Sequence, residues 1–109
     1  SGAGRSPTSG WGVYCATKAA MDRYAECAQL DLGDRARIVS MAPGIIDTPM
    51  QAVIRSSDVN DFPALERFVG FHQQKQLASP EDVASRLLTV FESEAFGTKT
   101  IDDIRQYTF

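Results

Sequence analysis

Tyr14 and Lys18 stand four residues apart in Tyr14-Cys15-Ala16-Thr17-Lys18. On a helix that spacing stacks one side chain a turn above the other and sets an ammonium beside a phenol. A free phenol titrates near pH ~10. A cation within ~4–6 Å favours its ionised form. The pair is therefore a candidate acid/base, although the same spacing on a solvated helix is usually a surface feature. What decides between the two is whether the rest of the chain brings a substrate and a cofactor to it.

Other chemistries have less to work with. His72 is the sole histidine, so a Ser/His/Asp triad has no visible logic and zinc would lack ligands; no metal is expected. Cys15 and Cys27 are twelve residues apart in one predicted helix, a separation of about 18 Å at 1.5 Å per residue. A disulfide needs Cα atoms within ~7 Å, so two free, mostly buried thiols in a reducing compartment are expected. Over 109 residues the chain carries 11 Lys+Arg and 14 Asp+Glu, a net charge of −3 that predicts neither nucleic acid nor an anionic membrane surface as partner. No apolar run approaches the ~20 residues of a membrane span. Ser1–Gly12 has no signal-peptide core and no initiator methionine, so a cytoplasmic protein seen as a fragment is expected.

The elements that must position the pair follow from pattern. Ser1–Gly10 reads as a loop. A dinucleotide loop G-x-G-x-x-G beginning at Gly2 would need glycine where Pro7 stands, and is rejected. Val13–Leu32 is alanine-rich, free of proline and closed by Gly33, and predicts a long helix. Ala16, Ala20, Tyr24, Cys27 and Ala28 give it a side that another element can approach closely. Arg37–Ala42 reads as a strand covered on both faces and stopped by Pro43-Gly44. Thr48-Pro49 marks an N-cap and the start of a short helix to about Arg55. Ser56–Asp61 is polar and expected to be mobile. A helix over Pro63–Gln74 follows, with Leu65, Phe68, Val69 and His72 along one side. Ser79-Pro80-Glu81-Asp82 starts a further helix to about Ser93, striped by Val83, Leu87, Val90 and Phe91, and Thr98–Ile104 forms a last strand. Helix, buried strand, helix and strand suggest an α/β parallel sheet short of its neighbouring strands.

The ordered combination is specific. Tyr14-x-x-x-Lys18 heads a long helix, a strand leads into Pro43-Gly44-Ile45-Ile46-Asp47-Thr48, and Ser79-Pro80-Glu81-Asp82-Val83-Ala84 precedes the final strand. Over essentially its whole length the chain resembles the C-terminal half of a short-chain dehydrogenase/reductase. Gly10–Cys15, Asp47-Thr48-Pro49-Met50-Gln51 and Leu77–Ala84 resemble the sepiapterin reductase and benzil reductase branch of that family.

The resemblance implies residues 1–109 as a partial domain, the catalytic and substrate half of a Rossmann-like doubly wound parallel sheet, with the nucleotide-binding half absent. It implies an NAD(P)-dependent reduction of a ketone, diketone or pterin-like carbonyl, with NADP favoured and NAD the alternative. Tyr14 would be the proton donor. Lys18 would bind the nicotinamide ribose and tune the tyrosine. Ser1 would orient the substrate carbonyl, with Ser6 and Ser9 as worse-spaced rivals. Pro43, Gly44 and the Ile46 backbone would border the nicotinamide, and the Thr48 hydroxyl would approach the cofactor phosphates at a helix start. Trp11 and Met50, with Phe68 and Phe71, would line the substrate pocket, or equally pack as core. A homodimer or homotetramer is the family's expected assembly. The opposing reading is an inactive fragment that serves as a helical dimerisation module through the small-residue side of its first helix.

Overall fold

The computed structural model describes residues 1–109. A short 3-10 turn (Gly2–Gly4) leads to α1 (Gly12–Leu32), β1 (Ser40–Ala42), α2 (Pro49–Arg55), α3 (Leu65–Gln73), α4 (Pro80–Phe91) and β2 (Ile101–Asp103). The strands pair in parallel, with Ser40 opposite Ile101, Met41 opposite Asp102 and Ala42 opposite Asp103. The parallel α/β character expected from element order is therefore present in a two-stranded sheet. A second parallel link joins Ile46 to Ala78 beyond the end of β1.

The helix limits fall close to expectation. Gly33 ends α1 at φ 54°, a conformation that favours glycine. Ser79 caps α4 by accepting a hydrogen bond from the Asp82 amide at 3.1 Å. Ser56–Asp61 enters a hydrogen-bonded turn in which the Asp61 and Phe62 amides both donate to the Asp58 carbonyl.

The first strand is shorter than its sequence pattern. Arg37 to Val39 do not join the ladder, and at Ile38 a side chain takes its place. The Ile38 amide donates to Gln29 Oε1 on α1 at 2.7 Å, and Arg37 reaches the Phe96 carbonyl at 3.1 Å. Coverage on both faces is also corrected: Ser40 and Met41 are half-buried and only Ala42 is enclosed. Of the expected α4 stripe, Val83 and Val90 are buried, whereas Phe91 is 63% exposed. Cys27 is exposed and Cys15 half-buried, so the thiols are free as expected but not mostly buried.

One face of α1 presents Tyr14, Lys18, Asp22, Ala25 and Gln29 inward at helical spacing. Asp22 and Ala25 are its buried residues. The opposite stripe, Val13, Ala16, Ala20, Tyr24 and Cys27, is exposed. The 3-10 turn lies directly against α1. A Cβ on Gly4 would stand 2.7 Å from the Lys18 carbonyl carbon and 2.9 Å from the Ala19 nitrogen. Both are backbone atoms, so neither can swing aside. Gly4→Ala is expected to cost about 1–3 kcal/mol through this clash, measurable by urea unfolding of the full-length protein.

Candidate active site

Tyr14 and Lys18 sit in the first two turns of α1, and both are half-buried. Lys18 Nζ lies 5.4 Å from the centroid of the Tyr14 ring. The i,i+4 geometry read from sequence is realised, with the ammonium beside the ring. Trp11, just before the helix, holds the other side of that ring edge-on at 5.2 Å between centroids. Trp11 in turn stacks flat on Phe62 at 4.8 Å and leans on Phe68 at 5.3 Å. Phe68 continues to Phe71 at 5.6 Å. This aromatic row ties the loop before α1 to α3 and fixes the Tyr14 ring from one side.

All of these residues except Phe62 line one cleft of about 650 Å³. Ser1, Tyr14, Lys18, Trp11, Pro43, Gly44, Ile46, Thr48 and Met50 all border it, so every site residue predicted from sequence converges there. Phe68 and Phe71 border it as well. Of the two rival serines, Ser6 lies on the cleft and Ser9 does not. His72 is exposed and outside it.

Ser1 caps the 3-10 turn, its Oγ accepting from the Ala3 amide at 3.3 Å, which leaves the hydroxyl proton to donate elsewhere. Thr48 occupies the N-cap position of α2, yet its side chain makes no capping bond. The expectation that it caps by its hydroxyl is thus corrected, and the hydroxyl is free to meet a ligand. At seven residues α2 is too short to lend much dipole to an anion.

Gly44 turns the chain after β1 at φ 81°, in the left-handed region that glycine tolerates. The Arg105 methylenes lie against it, and the Arg105 guanidinium grips Asp103 through a 2.5 Å contact. That hydrogen bond holds the Asp103 carboxyl below the usual aspartate range despite partial burial.

The backbone just beyond is more informative. The Asp47 amide donates to the Ala78 carbonyl at 2.8 Å, and the Ala78 amide donates to the Ile45 carbonyl at 3.0 Å. In a parallel pair, a residue between two bonded neighbours points its own N–H and C=O the other way. Ile46 is that residue, and neither its amide nor its carbonyl has a main-chain partner. A paired donor and acceptor on one residue matches a primary carboxamide, which offers one acceptor and two donors. The residues present therefore fit a nicotinamide.

Sequence reasoning missed what holds the serine loop in place. Arg5 Nε donates to Asp22 Oδ2 at 3.2 Å, Nη1 to the Asp102 carbonyl at 2.8 Å and Nη2 to the Ser40 carbonyl at 3.0 Å. The Ser40 hydroxyl donates to Asp22 Oδ1 at 2.5 Å. One guanidinium thus joins the Ser1 loop, α1 and both strands. Burial pushes the Asp22 carboxyl up, but the hydrogen bonds from Ser40 and Arg5 and the Arg5 charge outweigh it and hold the group below the usual range. Asp102 is buried beside this knot and accepts from the Tyr107 hydroxyl, whose own pKa that bond raises. The signal in the sequence is that Asp22 continues the Tyr14, Lys18 spacing by one more turn.

A model of the short chain dehydrogenase family matches residues 1–59, the span holding the serine loop, α1, β1 and α2. The chain belongs to that family. It is 40% identical over 99 residues to a benzil reductase ((S)-benzoin forming) of Bacillus cereus, covering 88% of this chain and 40% of that protein. It is 32% identical over 91 residues to the sepiapterin reductase of Rattus norvegicus, covering 83% of this chain and 34% of that protein. The solved structure of the KRED1-Pglu enzyme superposes with a TM-score of 0.78 at 30% identity, over 89% of this chain and 42% of that one. The Rossmann-like α/β dehydrogenase fold is therefore established, and the two branches that the sequence resembles are among its relatives. The chain spans less than half the length of these proteins. No helix is long and apolar enough to cross a membrane.

Proposed function

We propose that this chain is the catalytic and substrate half of an NAD(P)-dependent carbonyl reductase whose nucleotide-binding half lies outside it. The carrying observation is the meeting of Tyr14, with Lys18 over its ring, and the unpartnered Ile46 backbone on one cleft. A nicotinamide cofactor bound here supplies hydride to the substrate carbonyl carbon. Ile46 N–H and C=O hold the carboxamide. Lys18 binds the ribose hydroxyls, and Pro43, Gly44 and Thr48 wall the cofactor side. Ser1 donates its hydroxyl proton to the carbonyl oxygen and orients it. As charge builds on that oxygen, Tyr14 delivers its phenolic proton, and the Lys18 ammonium stabilises the phenolate left behind. Trp11, Met50, Phe68 and Phe71 form an apolar wall suited to an aromatic or ring-bearing ketone.

The half-covered β1 and the exposed stripe of α1 support the reading that further elements, or a second subunit in a homodimer or homotetramer, pack on this half. The same stripe, with Tyr24 76% exposed, supports the alternative of a dimerisation module without catalysis. NADPH oxidation by the full-length protein against aromatic 1,2-diketones and pterins separates the two. Turnover of either class is the expected result. Absence of turnover with any carbonyl, in a protein that still self-associates, would leave the module reading alone.

A further inference from the structure

Arg67 stands in the first turn of α3, is exposed, and borders the cleft. Its guanidinium carbon lies 5.3 Å from the centroid of the Phe71 ring, a cation–π contact that holds the charge against the aromatic wall. Beyond that contact the guanidinium makes no ion pair and no hydrogen bond within the chain. The residues three and four positions away are Ala64, Gly70, Pro63 and Phe71, and none offers a carboxylate. The first turn of a helix favours anions over cations, so helix stability does not account for an arginine here. The other charges on the cleft are committed. Arg105 is held by Asp103, Asp22 by Arg5 and Ser40, and Lys18 lies over the Tyr14 ring. Asp22 is the only carboxylate bordering the cleft, so nothing there neutralises Arg67.

We infer that Arg67 is a specificity residue that pairs with a carboxylate carried by the substrate at its end away from the reacting carbonyl. This rests on the carbonyl-reductase reading above and narrows its substrate class to aromatic or ring-bearing keto acids. The placement follows from a run of contacts: Tyr14 meets Trp11, Trp11 leans on Phe68, Phe68 meets Phe71 edge-on, and Phe71 carries the Arg67 guanidinium. A flat substrate lying along that row with its carbonyl at Tyr14 points its far end towards the guanidinium. The planar fork of arginine matches a carboxylate through two parallel N–H bonds, and Phe71 already holds the fork, so less freedom is lost on pairing. Arg67 takes no part in proton or hydride movement, so its removal should alter discrimination and spare the chemistry.

Matched substrates test this: 4-acetylbenzoate with its methyl ester, and the pair one ring longer, 4′-acetylbiphenyl-4-carboxylate with its methyl ester. The quantity read is the ratio of kcat/KM for acid to kcat/KM for ester in the full-length protein. In at least one pair Arg67→Gln should lower this ratio by about fivefold, the upper range for an ion pair that water still reaches. The loss should come through a raised KM for the acid, while the ester keeps its wild-type kcat/KM. Arg67→Lys, which keeps the charge without the fork, should retain part of the ratio. Added salt should lower the wild-type ratio and leave that of Arg67→Gln flat, and the wild-type measurement stands even where a variant fails to fold. Ratios unchanged by Arg67→Gln in both pairs, or a wild-type ratio insensitive to salt, overturn the assignment of Arg67. A raised KM for NADPH in Arg67→Gln with unchanged ratios also overturns it, by placing the paired anion on the cofactor. Failure of the wild type to reduce any of these ketones or any diketone instead removes the carbonyl-reductase reading, and this inference with it.

Discussion

Tyr14→Phe in the full-length protein is expected to lower kcat for carbonyl reduction by about 10²–10⁴-fold, the usual contribution of a positioned general acid. The substitution removes one oxygen and leaves the ring. Trp11 meets that ring edge-on at 5.2 Å and Lys18 lies 5.4 Å from its centre, so neither contact depends on the hydroxyl. The Tyr14 hydroxyl makes no hydrogen bond within the chain, and the bond that the Thr17 hydroxyl donates to the Tyr14 backbone carbonyl is left in place. Thermal stability and oligomeric state should therefore stay at wild-type levels while turnover collapses. KM for the ketone should change little, because the proton is transferred in the transition state rather than in binding. Lys18→Met is the companion variant. It should lower kcat and also weaken NADPH binding, since the proposed mechanism has the ammonium serve both the phenol and the ribose. A Tyr14→Phe protein that keeps activity within a factor of about three would rule out tyrosine as the proton donor.

The contrast between what the sequence revealed and what it concealed has a physical basis. Tyr14, Lys18 and the Pro43-Gly44 turn were legible because their geometry is local: four residues on one helix, or a strand followed by a residue at φ 81°. Helix starts such as Ser79-Pro80 were legible for the same reason, as the cap and its bond to Asp82 lie within one turn. The limits of β1 were not, because a strand's length is set by its partner. β2 offers three paired residues, and Gln29, from a different element, competes for the Ile38 amide. Gln51 stands in the run Asp47–Gln51, but its burial is tertiary and goes with the packing of α2 against α3. Arg5 looked like an ordinary charge in a polar loop. Its partners lie 17, 35 and 97 residues away, and no local pattern announces them. The parts proposed to do the chemistry are thus short-range, whereas the parts that hold them in register are long-range.

That long-range bracing makes Asp22 the residue whose loss should cost the most stability. Asp22→Asn leaves the Arg5 guanidinium facing a neutral amide, and its carboxylate bonds to Arg5 and Ser40 are lost or inverted. The side chains retain 24% exposure on Arg5 and 12% on Asp22, so water still reaches the pair in part. Breaking a buried ion pair costs about 3–5 kcal/mol and an exposed one about 0–1 kcal/mol, and with Arg5 exposed and Asp22 buried this one is expected at about 1–3 kcal/mol. The pH dependence gives the effect its signature. The folded-state carboxyl titrates below its unfolded value, which is about 3.9 for aspartate. Its contribution is then complete at pH values above the unfolded pKa and drains away as pH falls through the folded one. Urea unfolding of the full-length wild type and Asp22→Asn should differ most at pH 6–7 and converge on acidification below pH ~4. A difference that stays constant through that range would mean that packing, rather than charge, is what Asp22 provides. Because Arg5 also anchors the Ser1 loop, the variant should show raised KM for the ketone even where it remains folded, an effect Tyr14→Phe lacks. On the proposed mechanism, the two variants together separate loss of the proton donor from loosening of the loop that carries Ser1.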